Sequence, residues 1–166
     1  MSSPVFIAGA GVISAIGNNI AENLSALEDE VPGMKEMQYL HSVHRHKLPV
    51  AEVKMSNEEL AAIAGMPAHI SRTALLSAIA AKEALHNAAI ENFNELRTGF
   101  ISANTVGGMD KTEDFFPYFL SDPNKGRLRS IVHHECGAAT VLLPDQLFII
   151  YYISTISTAC SSSAIA

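Results

Sequence analysis

The sequence predicts an α/β protein built on a mainly parallel, layered sheet. Three observations carry that reading. The apolar run Val5-Phe6-Ile7-Ala8 leads into the glycine turn Gly9-Ala10-Gly11. A second apolar run, Phe100-Ile101-Ser102, leads into Asn104-Thr105-Val106-Gly107-Gly108. A third, Leu147 to Ile153, leads into the small-residue stretch Ser157-Thr158-Ala159-Cys160-Ser161-Ser162-Ser163. Helical patterns fill the intervals, and strands that alternate with helices are joined most simply as parallel neighbours.

Val5 to Ala8 reads as a short, fully buried strand, because all four residues are apolar and a glycine turn follows. Asn18 or Asn19 caps the next helix. Ile20, Leu24 and Leu27 recur at helical spacing, so this helix is expected to bury that stripe and to end at Pro32-Gly33. Residues 34–55 read as irregular. Ser56-Asn57-Glu58-Glu59 has the capping-box pattern, and the short helix it opens stops at Gly65-Met66-Pro67. Ser71 to about Ile90 is the strongest helix. Its alanines and leucines leave it apolar over most of its surface, as in a helix at the centre of a fold. Asp110 is placed to cap a helix running toward Leu120, and Ser121 to Gly126 reads as a loop. Cys136 to Leu143 is a candidate helix ending before Pro144. The branched and aromatic residues from Leu147 to Ile153 favour a strand.

The 166 residues fit one domain, and 48% are hydrophobic against 17% charged. Mean hydropathy is +0.19, slightly high for a self-contained domain and consistent with an uncovered face. The net charge of −6 lacks the clustered cations that phosphate backbones need, which argues against nucleic acid as a partner. Lys125, Arg127 and Arg129 form the one tight basic group, read as a solvated loop or as a docking point for an acidic carrier. No apolar run reaches the ~18–20 residues that span a bilayer. The N-terminus lacks a signal-peptide pattern, and Cys136 and Cys160 do not make a disulfide framework. A reducing cytoplasm is the expected compartment. His41, His44 and His46 lie close together, and His133-His134 precede Cys136, but neither group has the ligand spacing of a zinc site. No metal and no organic cofactor is expected.

Cys160 is the candidate nucleophile. An apolar strand, a small-residue turn and a helix start would lift its thiol to the apex of a bend, where a helix N-terminus favours the thiolate. Cys136 follows no strand and reads as a small buried hydrophobe.

Three landmarks together resemble the β-ketoacyl-acyl carrier protein synthases. The opening Val5 to Gly17 is similar to that family's start, and Asn104 to Met109 resembles its glycine-rich loop. Thr158-Ala159-Cys160-Ser161-Ser162-Ser163 is similar to its nucleophile motif, in a form shared with polyketide synthases. The resemblance runs from residue 5 to residue 166. It implies a thiolase-like fold of two similar halves, each a mainly parallel five-stranded sheet with helices on both faces. Residues 1–166 are then the first half. Two positions depart from the pattern: Phe148 stands where glycine is usual, and Ile165 where a small or polar residue is common.

The resemblance also implies the chemistry. Cys160 would take an acyl group from a carrier thioester, and a carbanion from a decarboxylated malonyl thioester would then attack it. Cysteine suits the role because its thiolate is strongly nucleophilic and its thioester stays reactive. Val106 would line the acyl pocket, although an ordinary buried valine reads the same way. The Cys160 N–H would be one oxyanion donor, with the second donor, two histidines and a lysine supplied by the second half. An acyl carrier protein and a homodimer partner are implied. Residues 1–166 alone are expected to be inactive in condensation. Two other readings stay open: a small cysteine hydrolase with His133 or His134 as base, and a non-enzymatic half-domain that self-associates through Ile149 to Ile153.

Overall fold

The computed structural model describes residues 4–92, 96–147 and 151–166. Its helices are α1 (Ile20–Glu28), α2 (Asn57–Ala64), α3 (Arg72–Asn87), α4 (Met109–Ser121), α5 (Gly137–Leu147) and α6 (Ser162–Ile165). Its strands are β1 (Lys35–Glu36), β2 (Pro49–Val50), β3 (Gly99–Ala103) and β4 (Tyr152–Ile156). β1 and β2 pair antiparallel, and β3 and β4 pair parallel in register from Gly99 opposite Tyr152 to Ala103 opposite Ile156. The α/β class and the parallel pairing therefore stand. The expected five-stranded sheet does not: among the described residues each sheet has two strands.

Local signals account for three of the six helix starts. Asn19 caps α1 through the Glu22 N–H. Ser56 and Glu59 form the complete reciprocal box on α2, and Gly65 closes that helix in the left-handed conformation. Ser71 caps α3 through the Ala74 N–H. The core joins Leu60 and Ala64 of α2 to Leu75, Ala78 and Ile79 of α3 and to Leu143 of α5. α5 in turn packs against β3 and β4, so the parallel pair reaches the core through this one helix.

Val5 to Ala8 is the main departure. Val5 and Ile7 are 97% and 93% exposed and belong to no strand. The backbone just beyond them is committed to α3. Ala10 O accepts from Asn87 Nδ2, Val12 N–H donates to Glu83, and an added Cβ on Gly9 or Gly11 would meet the carbonyls of Ala84 or Ala80 at 2.2 and 2.0 Å. With the chain lying on the helix, no strand among the described residues pairs with residues 5–8, and an apolar run alone cannot supply a ladder.

Four smaller corrections follow from packing. α1 buries Asn23 and Ala26, while Leu24 and Leu27 stay exposed, because the Asn23 amide is engaged with Ser14 and with Asn19 O. Asp110 does not cap α4. It lies in the first turn and accepts from the Arg72 N–H, tying α4 to the start of α3. α5 runs through Pro144 to Leu147, with Leu143, Pro144 and Leu147 all buried on its inner side. Leu147 thus ends a helix, and the strand starts at Tyr152; Phe148, Ile149 and Ile150 lie outside the described residues.

The segment read as irregular carries the short β1–β2 pair and a buried carboxylate, Glu52. Burial pushes its carboxyl up, but N–H donors from Gln38, Leu40 and Tyr39 and the nearby Lys54 cation outweigh that, leaving it below its ordinary value of 4.5. Its contribution to stability is therefore complete above about pH 4.5 and is lost as pH falls through the lower folded value. Glu52→Gln is expected to cost about 2 kcal/mol at pH 7 and progressively less below pH 4.5, which urea titrations at several pH values would show. A pH-independent difference would contradict this account.

Candidate functional site

Because β3 and β4 are parallel and in register, the loops that leave them emerge side by side at one edge. Asn104 builds the first loop. Its Oδ1 accepts from the Gly107 N–H at 3.0 Å and its Nδ2 donates to Cys136 O at 2.8 Å. Gly107 has φ +54, and an added Cβ there would lie 2.3 Å from His134 O, so only glycine fits. The Gly108 N–H donates to the same carbonyl.

The second loop holds the nucleophile candidate. Ala159 adopts φ +54, a conformation rare for a residue with a side chain. Ser162 braces the turn: its Oγ accepts from the Thr158 N–H and donates to Ala159 O. Ser161 Oγ donates to Thr158 O. Cys160 sits between them in a 3-10 turn, Ala159–Ser161, and is exposed. It lies in the bend between β4 and α6, two residues before the helix begins. A sharp, braced bend with one strained residue beside an exposed nucleophile is a recurring way to present a side chain above a parallel sheet.

The two loops touch. Thr105 Oγ1 donates to Ala159 O at 3.2 Å, linking the residue before Val106 to the residue before Cys160. Val106 is 49% exposed, so it is not the ordinary buried valine that its sequence allowed. Cys136 is half-buried and its sulfur accepts from Ser157 Oγ at 3.6 Å. It thus contacts the loop that carries Cys160.

Neither histidine of the hydrolase reading reaches Cys160 by a hydrogen bond. His134 Nδ1 is paired with Thr112 Oγ1 at 2.7 Å, and His133 lines a separate cleft beside α4. Of the earlier group, His46 pairs with Glu36. Among the described residues no cluster of three or more His, Cys, Asp or Glu is placed to hold a metal ion. No helix among them is long and apolar enough to cross a membrane.

Asn104, Thr105 and Ser162 were not singled out from the sequence. The Asn-x-x-Gly spacing was a usable signal for the first, since Asn readily bonds the backbone of its own turn. Thr105 and Ser162 act across the fold or within a crowded serine run, where spacing alone does not select them.

No protein-family model and no curated protein matches the chain. Among solved structures it is similar to the ishigamide ketosynthase/chain length factor, with TM-score 0.79 and 20% sequence identity. The match covers 93% of this chain and 40% of that one. The α/β fold of these 166 residues is thus shared with part of a ketosynthase/chain length factor.

Proposed function

We propose that residues 1–166 are the nucleophile-bearing half of a β-ketoacyl synthase-type condensing enzyme, with Cys160 as acyl acceptor. The observation that carries this is the joined pair of loops at one end of the parallel strands, with exposed Cys160 on the braced bend and Val106 on its neighbour. The reading extends to 3-oxoacyl-acyl carrier protein synthesis, an acyl carrier protein as donor and a homodimer as the working form. Val106 would then meet the acyl chain once a second half closes the cavity.

Surface area agrees with an uncovered half. The chain exposes 11332 Å², whereas a compact protein of its 17.8 kDa mass exposes about 8,000 Å². Ile101, Tyr152 and Ile153 of the parallel pair are among the exposed apolar residues.

In this mechanism the Cys160 thiolate, its proton lost to solvent, attacks the thioester carbonyl, its own backbone N–H steadies the oxyanion, and the C–S bond to the carrier breaks as the carrier thiolate leaves with the electron pair and takes up a proton from solvent. Absence of a second oxyanion donor costs ~10²–10³-fold in rate. Residues 1–166 alone should therefore acylate slowly and form no carbon–carbon bond.

The test is acylation by a hexanoyl-pantetheine thioester, followed by intact mass and peptide mapping. Cys160 should acylate faster than an unstructured peptide thiol at the same pH, and Cys160→Ala should remove the adduct. Equal rates for Cys160 and the free peptide would overturn the assignment, as would condensation product from the purified chain for the inactivity of the half. The hydrolase reading predicts instead repeated turnover of the thioester.

A further inference from the structure

A second site lies away from Cys160, in the cleft between α4 and the turn that follows it. The cleft has a volume of about 690 Å³, within the range of small-molecule sites. Lys111 enters from α4, and Arg127 and Arg129 enter from the segment around the 3-10 turn Leu128–Ile131. Among the described residues none of these three cations forms an ion pair or a side-chain hydrogen bond, although Lys125 beside them is 4.0 Å from Asp122. The one carboxylate on the wall is Asp114, so the cleft carries two net positive charges in a chain whose net charge is −6.

The rest of the lining holds two aromatic rings, Phe115 and Tyr118, beside His69, His133, Ser130 and Gly126. Phe115 and Tyr118 share the wall, and Phe115 stacks on Phe119 with ring centroids 6.0 Å apart, which fixes its plane. Gly126 approaches that ring so closely that a Cβ would lie 2.4 Å from it, and its φ of +102 suits glycine alone. Phe115 therefore presents a fixed ring face inside the cleft, with unpaired guanidinium groups nearby. Guanidinium forks match phosphate oxygens bidentately, and two positive charges match a dianion.

We infer that this cleft binds a phosphomonoester carried on a flat ring, with the phosphate on Arg127, Arg129 and Lys111 and the ring on Phe115 and Tyr118. The inference is independent of the role given to Cys160. The concave aromatic wall favours a small molecule over an acidic protein surface, which would use the cations and leave the wall empty.

Calorimetric titration of the 166-residue chain with phenyl phosphate at low salt tests it. Saturable one-to-one binding is expected. Inorganic phosphate should bind several-fold more weakly, because the ring contributes on the order of 1 kcal/mol. The double variant Arg127→Gln, Arg129→Gln should weaken phenyl phosphate at least ~10-fold, since it removes two charge-assisted contacts to the phosphate. Both arginines are exposed, and circular dichroism checks that the variant folds. Phe115→Leu provides the second arm, expected to bring phenyl phosphate down to the affinity of inorganic phosphate. Non-saturable binding, a loss under twofold in the arginine variant, or equal affinity for the two probes would overturn the inference. So would displacement of phenyl phosphate by a poly-glutamate peptide at lower concentration, which would mark a protein-docking surface. Acylation of Cys160 should be unchanged in the arginine variant, and its loss would show that the cleft is not a separate site.

Discussion

Leu75→Ala is expected to remove about 3–4 kcal/mol of stability. Leu75 is 0% exposed and sits where α3 meets both α2 and α5. Its neighbours on α3, Ala74 and Ala78, are already small, so no longer side chain stands ready to fill the void. Native domains hold about 5–15 kcal/mol in total, and a chain with this much uncovered surface has less apolar burial to draw on. The variant should be largely unfolded under conditions where the parent is folded. Urea denaturation should show a lower midpoint with an unchanged slope. A loss below about 1 kcal/mol would mean that α3 is not the centre of the core.

Gly107→Ala should have the second largest effect, and it should be felt at Cys160. The left-handed backbone costs an alanine about 1–2 kcal/mol, and the collision at 2.3 Å is with His134 O, a main-chain atom. The turn must open, which strains the Asn104 bond to the Gly107 N–H and, through Thr105, the bond to Ala159 O. Amides of residues 104–108 and 157–162 should lose hydrogen-exchange protection together, and acylation of Cys160 should slow. Gly65→Ala is the control. Gly65 also has positive φ, but a Cβ there meets only the Lys82 Nζ at 3.3 Å, the movable end of a flexible side chain. It should lose stability without altering the Cys160 loop. If both glycine variants left residues 157–162 equally protected, the two loops would be uncoupled.

The features legible in the sequence are those a few neighbouring residues decide. Ser56 with Glu59, Ser71, Asn19 and Gly65 behave as their local chemistry dictates. The second strand and the glycine loop behind it were legible too, because turn chemistry marks them. Elements that need a distant partner were not. Val5 to Ala8 has the composition of a buried strand, but pairing is a property of two segments, and its backbone neighbours are held on α3. Leu24 and Leu27 have helical spacing, but no layer covers them. The run from Leu147 to Ile153 gave no sign of where helix passes to strand, since Leu and Ile serve in either. At the site, the Cys160 motif announced a turn, while its bond to Thr105 joins residues more than fifty positions apart. Arg127 and Arg129 were visible as a basic group, yet their apposition to Phe115 depends on how α4 packs.

Pairing Gly99 with Tyr152 imposes a schedule on synthesis. At 5–20 residues per second, the ribosome releases β4 roughly 3–10 s after β3. Through that interval Phe100 and Ile101 lack their β4 neighbour, the one strand among the described residues that pairs with them, and parallel closure across so long a loop is intrinsically slow. Nascent chains on adjacent ribosomes would meet with these edges bare. Yield in a cell should therefore depend on chaperone supply and on growth temperature before it depends on the stability of the finished molecule.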